Sequence, residues 1–233
     1  MNILGIIPAR FESSRFPGKP LVNINGKTMI QRVYEQASKC SSLSAVVVAT
    51  DNKRIFDHVL SFGGRVKMTK VSHRNGTERC AEVVSSLDEN YDAIINIQGD
   101  EPFINPEQIA QVCACFEDPD VEIATLKKTI HELEELVNPN RPKVHTGVDG
   151  YAIQFSRQPI PETETSNLQS RLAEGVFFKH IGIYGYRPAI LKKLVLLSPS
   201  PLEIQERLEQ LRWLENGYNI KVASTEFEAQ AID

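Results

Sequence analysis

The 233-residue sequence predicts an α/β fold, with a mostly parallel sheet in its first half and a mixed or antiparallel sheet in its second half. Up to about residue 117, short apolar runs alternate with stretches in which apolar residues recur at helical spacing. This alternation is typical of parallel strands joined by right-handed crossover helices. Beyond that point, short strand-like segments are separated by polar connections that contain proline, which favours antiparallel neighbours.

The first half contains four predicted strands and four predicted helices. The first strand, Ile3–Ala9, is almost wholly apolar, as expected when helices cover both faces of a sheet. The other strands are Ala45–Ala49, Arg65–Met68 and Ala93–Ile97. Helical spacing of apolar residues predicts helices around 29–37, 54–62 and 81–87. A fourth helix follows Asn105, because Asn105 and Gln108 form a capping box around a first-turn proline.

The second half contains three predicted strands and one long helix. The strands are Val121–Thr125, Ala152–Ser156 and Gly182–Tyr186. The connection from Pro159 to Phe178 is predicted to project as an arm. Ser200–Glu203 is a capping box with proline at the first helical position, and it predicts one helix that ends at Gly217. The predicted buried stripe of this helix consists of Ile204, Leu208 and Leu211.

Composition excludes several classes of protein. Hydrophobic residues make up 41% of the chain, which is enough for a sizeable core. A net charge of −4 argues against a protein that coats nucleic acid. The sequence lacks a continuous apolar stretch of about 18 residues and a signal peptide, so we expect a cytoplasmic protein without a membrane partner. The four cysteines lack C-x-x-C spacing and are expected to be reduced structural thiols.

A loop rich in cations follows the first strand. It carries Arg10, Arg15 and Lys19, and three prolines restrict its conformation. Open α/β sheets bind ligands at the carboxyl ends of their strands. Each cation could contribute about 1.5–3 kcal/mol through charge-assisted hydrogen bonds. The loop is therefore predicted to bind a polyphosphate, and a solvated basic turn is the alternative.

Two carboxylates follow the strand Ala93–Ile97. Asp100 and Glu101 come after Gly99, where a ligand can approach the backbone closely. Mg²⁺ prefers oxygen ligands and usually takes one or two protein carboxylates together with substrate phosphates. Asp100 is the first candidate ligand and Glu101 the second, whereas a solvated acidic turn is the alternative. With the cationic loop and no obvious nucleophile, this pattern favours nucleotidyl transfer by positioning and charge neutralisation.

Several motifs of the sequence resemble those of the sugar-acid cytidylyltransferases. They are Pro8–Leu21, Ala49–Asp51, Gly76–Arg79 and Gln98–Pro102. Three further regions narrow the resemblance to members that act on 3-deoxy-manno-octulosonate (Kdo): Phe155–Arg157, His180–Arg187 and Ser200–Glu203 with Leu208–Arg212. The resemblance implies a Rossmann-like fold of the nucleotide-diphospho-sugar transferase type and a homodimer built through the second half. It also implies that CTP and Kdo give CMP-Kdo and pyrophosphate, for lipopolysaccharide synthesis in a Gram-negative bacterium.

The resemblance also implies roles for individual residues. Those expected to bind CTP are Ala9, Arg10, Arg15, Lys19, Asn75, Gly76 and Gln98. Those expected to bind the sugar acid are Gln98, Arg157, His180, Tyr184, Glu209 and Gln210. Arg10, Lys19 and Asp100 are the expected catalytic residues, and Asp100 and Asp233 the expected Mg²⁺ ligands. From the residues alone, a histidine beside an apolar strand is more often structural.

One departure from the family concerns the second metal-binding aspartate. In the family this residue opens an Asp-Thr-Pro-Glu-Asp stretch that leads into a final helix, whereas this sequence reaches the aspartate at Asp233 and ends. A frayed end is the alternative for Asp233.

We expect a single domain, with CTP bound by about residues 1–117 and the sugar acid and dimer interface in about 118–233. The alternative functions are activation of another keto sugar acid, such as 8-amino-Kdo or a sialic acid, and CTP binding with impaired catalysis.

Overall fold

A nine-stranded mixed sheet forms the centre of the described chain. The structure is a computed structural model that describes residues 1–12, 16–87, 89–161 and 168–228. Its strands are β1 (Ile3–Ala9), β2 (Asn23–Ile24), β3 (Lys27–Thr28), β4 (Ala45–Thr50), β5 (Val66–Met68), β6 (Ala93–Asn96), β7 (Ile123–Thr129), β8 (Lys143–Thr146), β9 (Ala152–Ser156), β10 (Phe178–Tyr186) and β11 (Ile220–Ser224). Its α-helices are α1 (Met29–Ala37), α2 (Lys53–Ser61), α3 (Gly76–Ser85), α4 (Pro106–Ala114), α5 (Leu133–Val137), α6 (Leu168–Ala173), α7 (Pro188–Leu194), α8 (Pro201–Glu206) and α9 (Gln210–Glu215).

The strand order of the main sheet is β11-β7-β10-β6-β1-β4-β5, with β8 and β9 attached beside β10. β1 pairs in parallel with β4 and with β6, and β4 pairs in parallel with β5. β10 is antiparallel to β6 and to β7, whereas β11 is parallel to β7. The predicted α/β class, with a parallel first half and a mixed second half, is therefore confirmed. Because β1 and its neighbours are parallel, their carboxyl ends meet at one edge of the sheet.

Helices cover both faces of the sheet, and this explains why β1 is apolar along its whole length. Ile3 and Ile7 face a core cluster that includes α1, α2 and α4, whereas Leu4 and Ile6 face a second cluster that includes α3, α7 and α9. Cys40, Cys80 and Cys113 are buried in these clusters, and all four cysteines are free thiols, as predicted. No helix in the described ranges is long and apolar enough to cross a membrane.

The second half differs from the prediction mainly where charged residues lie inside strands. β7 continues to Thr129 through two lysines, and β8 begins with a buried lysine, Lys143. The buried Lys179 of β10 pairs with Glu135 and Glu228, which compensates its charge. These charges interrupt the apolar runs on which strand prediction depends. β8, the carboxyl-terminal end of β7 and the amino-terminal end of β10 were therefore not predicted. The predicted strand Ala152–Ser156 is β9.

The single helix predicted from Ser200 to Gly217 is wrong, because the chain forms two short helices. α8 and α9 are separated at Arg207, whose φ of 53° lies in the left-handed region. The predicted capping box is present between Ser200 and Glu203. Ile204 is 67% exposed and does not belong to the buried stripe, although Leu208 and Leu211 are buried. The break at Arg207, rather than a continuous buried stripe, therefore sets the positions of the residues that follow Arg207.

The predicted arm from Pro159 to Phe178 falls partly outside the described residues, which omit 162–167. After that gap, α6 buries Leu168 and Leu172 in a small third cluster. Ile130, Leu136 and Phe177 complete this cluster. The described end of the arm therefore has an apolar core of its own.

Candidate functional site

A cleft of about 350 Å³ opens at the carboxyl ends of β1 and β6, beside the amino terminus of α3. The predicted site residues that line it are Ala9, Arg10, Lys19, Asn75, Gly76, Gln98 and Asp100. They come from three separate segments of the sequence. The parallel arrangement of β1 and β6 brings these segments together, as expected for strand ends at one edge of a sheet. Arg15 lies outside the described residues.

Two glycines shape the backbone around the cleft. A Cβ atom added at Gly99 would lie 2.6 Å from the carbonyl oxygen of Pro8, so the loop after β6 could not pass so close to the end of β1. Gly18 has a φ of 74°, and its N–H donates a hydrogen bond of 2.8 Å to the carbonyl oxygen of Phe11. This bond closes the base of the cationic loop. Lys19 follows directly and begins a short 3-10 helix.

A lysine and an aspartate meet in the cleft. Lys19 Nζ lies 2.9 Å from Asp100 Oδ2, and their side chains are 13% and 37% exposed. Arg10 lines the same cleft and is exposed. The cleft therefore offers ammonium and guanidinium donors to an anion and a carboxylate to a cation. This combination fits a phosphate chain that arrives with its metal ion.

The remaining carboxylates fit a metal less well. Burial, with a smaller contribution from the charge of Asp100, raises the pKa of Glu101 to about 7, so Glu101 is partly protonated near neutral pH. Glu101 also does not line the cleft, which disfavours it as the second candidate ligand. The described ranges contain no cluster of three or more histidine, cysteine, aspartate or glutamate side chains that could hold a metal. Asp233, the other expected ligand, lies outside the described residues.

The amino terminus of α3 connects the cleft to the second half of the chain. Asn75 caps this helix, since its Oδ1 accepts the N–H of Glu78 at 2.9 Å. Asn75 Nδ2 also donates to Glu209 Oε1 at 2.9 Å, and the Thr77 hydroxyl donates to Glu209 Oε2 at 3.0 Å. Burial raises the pKa of Glu209 to about 7. A helix amino terminus carries partial positive charge, so this edge of the cleft also favours an anion.

A buried ion pair borders the cleft. Arg79 is 3% exposed, and its Nη2 donates to Asp51 Oδ2 at 2.6 Å, while Nη1 contacts the Thr69 hydroxyl. The pair ties the end of β4 to α3, and Arg79 itself lines the cleft. No site role was predicted for either residue. Their presence in two motifs of the family resemblance was the available signal.

His180 and Tyr184 lie together on β10, with ring centroids 5.3 Å apart. Burial lowers the pKa of His180 well below its ordinary value, which keeps the ring neutral. Gln98 Nε2 donates to the carbonyl oxygen of Gly182 at 2.8 Å, so the cleft and this strand are in direct contact. The Tyr184 hydroxyl and Gln210 Nε2 are buried without a hydrogen bond. Such unpaired groups cost about 1–3 kcal/mol each and often mark a ligand site.

Arg157 lies at the break between α8 and α9 rather than on the cleft wall. Its guanidinium donates to the carbonyl oxygens of Glu206 at 2.6 Å, Pro139 at 2.9 Å and Arg207 at 3.3 Å. Arg157 also donates its backbone N–H to the Glu206 carboxylate at 3.0 Å. A guanidinium has five N–H groups, so two remain for another partner. Arg157 therefore holds the break that precedes Glu209 and Gln210.

Comparison with known proteins identifies the family. Residues 4–222 match the family model described as cytidylyltransferase. The chain belongs to the cytidylyltransferase family. It is 53% identical over 234 residues to a 3-deoxy-manno-octulosonate cytidylyltransferase of Cytophaga hutchinsonii, covering 100% of this chain and 93% of the relative. It is 51% identical over 237 residues to the protein of the same name from Parabacteroides distasonis, covering 100% and 94%.

A solved structure agrees with this assignment, and a second one shares the fold. A CMP:2-keto-3-deoxy-manno-octonic acid synthetase solved in complex with CTP superposes with a TM-score of 0.91 at 37% identity, covering 100% of this chain and 93% of that chain. A 4-diphosphocytidyl-2C-methyl-D-erythritol synthase of Anaerococcus prevotii has a TM-score of 0.62 at 12% identity, covering 99% and 92%. The second similarity shows a shared fold alone. The resemblance inferred from the sequence motifs is therefore confirmed.

Proposed function

We propose that the protein transfers CMP from CTP to Kdo, forming CMP-Kdo and releasing pyrophosphate. The observation that carries this proposal is the cleft in which Arg10, Lys19 and Asp100 lie together at the carboxyl ends of two parallel strands. Relatives at 51% and 53% identity bear the name of a Kdo cytidylyltransferase, and the similar solved structure contains CTP. Lipopolysaccharide synthesis is the process that this product would serve.

CTP would bind with its triphosphate over the cationic side of the cleft. Arg10 and Lys19 supply charged donors, and the amino terminus of α3 at Asn75 and Gly76 supplies partial positive charge. Ala9 places backbone beside the nucleotide, and Gln98 lies between the cleft and β10. Arg15 is proposed as a further phosphate ligand from its position in the loop sequence. In this proposal, about residues 1–117 form the CTP-binding half.

Mg²⁺ is the proposed cofactor, and the donor set fits it. Asp100 offers carboxylate oxygen at the cleft, where phosphate oxygens would complete the coordination. Asp233 is proposed as the second carboxylate ligand from the sequence. Bound Mg²⁺ would neutralise charge on the phosphates and on the leaving pyrophosphate. Lys19, already beside Asp100, would stay close to the same phosphate oxygens.

The sugar acid would bind against β10 and the α8–α9 break. Arg157 retains two N–H donors and a full charge for the carboxylate. The groups proposed to bind the hydroxyls are His180, Tyr184, Glu209, Gln210 and Gln98. The unpaired Tyr184 hydroxyl and Gln210 amide favour a ligand with several hydroxyl groups.

In the proposed reaction, the anomeric hydroxyl of Kdo attacks the α-phosphorus of CTP in line. A sugar–oxygen–phosphorus bond forms, the bond to pyrophosphate breaks, and the hydroxyl releases its proton to solvent water. Arg10 and Lys19 stabilise the charge that develops on the leaving pyrophosphate, so no covalent enzyme intermediate is required. Catalysis would depend on positioning and charge neutralisation.

We also propose a cytoplasmic homodimer whose interface lies in residues 118–233. Ile153 of β9 and Leu202 and Ile204 of α8 are exposed apolar side chains of that half, which favours a protein contact there. Sedimentation of the purified protein would test it. Monomers at micromolar concentration would contradict the dimer without affecting the proposed reaction.

The decisive experiment measures pyrophosphate release from each of the four nucleoside triphosphates with Mg²⁺ and Kdo. We expect release from CTP that depends on both Kdo and Mg²⁺. Preference for a sialic acid or 8-amino-Kdo in direct competition would assign a different acceptor. Metal-dependent CTP binding without pyrophosphate release from any acid would show a binding protein instead.

A further inference from the structure

A threonine hydroxyl fills the irregular region of β10. The pairing of β10 with β7 shifts register between Ile181 and Tyr184, which forms a β-bulge. Thr125 of β7 is fully buried at this point. Its Oγ1 lies 3.1 Å from the Ile181 carbonyl oxygen, 2.8 Å from the Ile183 carbonyl oxygen and 3.0 Å from His180 Nε2. β-Bulges beside active sites commonly re-aim a side chain, and here the neighbouring side chain is His180.

The hydrogen-bond partners of Thr125 favour one tautomer of His180. A threonine hydroxyl has one proton, and carbonyl oxygens can only accept. Donation of this proton to one of the two carbonyl neighbours, of which that of Ile183 is the nearer, leaves no group at Thr125 without a partner. Its oxygen then accepts from His180, so the neutral imidazole carries its proton on Nε2. The opposite tautomer would take the hydroxyl proton and leave both carbonyl oxygens without that donor.

The other ring nitrogen of His180 is consequently a hydrogen-bond acceptor. Among the described residues, none makes a hydrogen bond with His180 Nδ1. The ring packs between Phe155 and Tyr184, with centroids 5.1 and 5.3 Å away. The buried Tyr184 hydroxyl also faces Thr125. The ring that carries the neutral acceptor therefore packs directly against the Tyr184 ring.

The same bulge also positions Gln98. The carbonyl oxygen of Gly182, inside the bulge, accepts the amide N–H of Gln98 at 2.8 Å. Gln98 lines the cleft proposed for CTP. The bulge in β10, which the Thr125 hydroxyl holds, thus connects the nucleotide side of the site to His180.

We propose that Thr125 is a positioning residue for the acceptor substrate. It holds the bulge and fixes His180 as a neutral imidazole whose Nδ1 accepts a hydrogen bond from a hydroxyl group of the sugar acid. This inference rests on the proposed function, in which His180 binds a substrate hydroxyl, and it adds the residue that fixes the position and tautomer of the ring. A neutral ring offers a carboxylate no charge, whereas a hydroxyl donor satisfies an unprotonated nitrogen.

The tautomer can be measured without any substrate. In the intact protein labelled with ¹⁵N at its five histidines, heteronuclear NMR distinguishes protonated from unprotonated ring nitrogens. His180→Gln identifies the resonances of His180 by their loss. We expect His180 to be neutral with its proton on Nε2. A proton on Nδ1, or a doubly protonated ring at neutral pH, would overturn the inference.

Matched variants test the effect on the substrate. Thr125→Val keeps the shape and removes the hydroxyl, and we expect the KM for Kdo to rise about tenfold. The KM for CTP should rise much less, because the bulge reaches the nucleotide side only through the hydrogen bond of Gln98 to Gly182. Thr125→Ser should restore the wild-type KM. Ile123→Val, a packing change on the same strand, controls for loss of stability. In a His180→Gln background, Thr125→Val should have little further effect.

An unchanged KM for Kdo in Thr125→Val would overturn the positioning role. The role would also be overturned if Thr125→Val raised the KM for Kdo by the same factor in the His180→Gln background as in the wild type. If the valine variant does not fold, the serine variant and the wild-type tautomer still decide the matter. Failure of wild-type protein to release pyrophosphate from CTP with Kdo would reject the proposed function, while the NMR measurement would still test the arrangement at Thr125.

Discussion

The nucleotide side and the acceptor side of the candidate site are built from different kinds of structure. On the nucleotide side, Arg10, Lys19 and Asp100 follow regular parallel strands and lie together because those strands end at one edge of the sheet. On the acceptor side, His180 lies beside a bulge in β10, and Glu209 follows a break between two helices. Regular topology thus positions the first group, and individual long-range contacts position the second.

This difference predicts how each side responds to substitution. Changes to the nucleotide side remove charges from an intact framework, so they should alter activity much more than stability. Changes to the acceptor side act on contacts that also hold irregular backbone, so stability and substrate binding should change together. The following experiments test this contrast, from the largest expected effect to the smallest.

Asp100→Asn should have the largest effect. Loss of the carboxylate that is proposed to hold Mg²⁺ should lower kcat about a thousandfold, whereas the unfolding temperature should change little because Asp100 is partly exposed. Steady-state pyrophosphate release and calorimetry measure the two quantities. Asp57→Asn, on the exposed surface of α2, is the matched control. Near-normal turnover in Asp100→Asn would rule out the metal role.

Lys19→Ala should raise the KM for CTP about 10- to 100-fold, which corresponds to one charge-assisted hydrogen bond. The KM for Kdo should change much less, because Lys19 lies on the nucleotide side of the cleft. Initial rates at varied CTP and varied Kdo separate the two constants. Lys53→Ala, an exposed lysine of α2, serves as control. An unchanged requirement for CTP would reject the assignment of Lys19 to phosphate.

Glu209→Gln should change the pH dependence of stability. Burial raises the pKa of Glu209 from 4.5 to about 7, so between these values the folded protein keeps a proton that the unfolded chain has lost. Rising pH therefore favours unfolding in this window. Between pH 5 and pH 8, the free energy of unfolding of the wild type should fall by on the order of 2 kcal/mol more than that of the variant.

Urea unfolding at the two pH values measures this difference, and the exposed Glu174→Gln is the control. Glu101, whose pKa is raised in the same direction, is present in both proteins and cancels from the comparison. Parallel pH profiles for the wild type and Glu209→Gln would contradict the burial of a protonated carboxyl group at the α8–α9 break.

Arg207→Gly should have the smallest effect, a gain of about 0.5 kcal/mol in stability, because glycine adopts the left-handed conformation of the break without steric cost. Arg207→Ala keeps the strained φ of 53° and is the matched control. The backbone carbonyl oxygen that accepts from Arg157 is retained in both variants. Calorimetry should find the glycine variant more stable than the alanine variant, and the reverse order would contradict the proposed strain.

The sequence predicted the nucleotide side of the site better than the acceptor side. Arg10, Lys19 and Asp100 were predicted from the residues and lie on one cleft, because an apolar run shows where a strand ends and parallel strand ends converge. Gln98, which the family resemblance implied, lies on the same cleft. The break at Arg207 was not predicted, since it depends on hydrogen bonds from Arg157, about 50 residues away in the chain. The bulge likewise depends on Thr125, which local periodicity marked only as a strand residue.

The cleft is central to this account, and a crystal structure with bound CTP and Mg²⁺ tests it most directly. We predict that the triphosphate contacts Arg10 and Lys19, that Asp100 faces the metal, and that the His180 side of the bulge remains open for the sugar acid. A triphosphate bound elsewhere, with Lys19 and Asp100 facing away from it, would contradict the account.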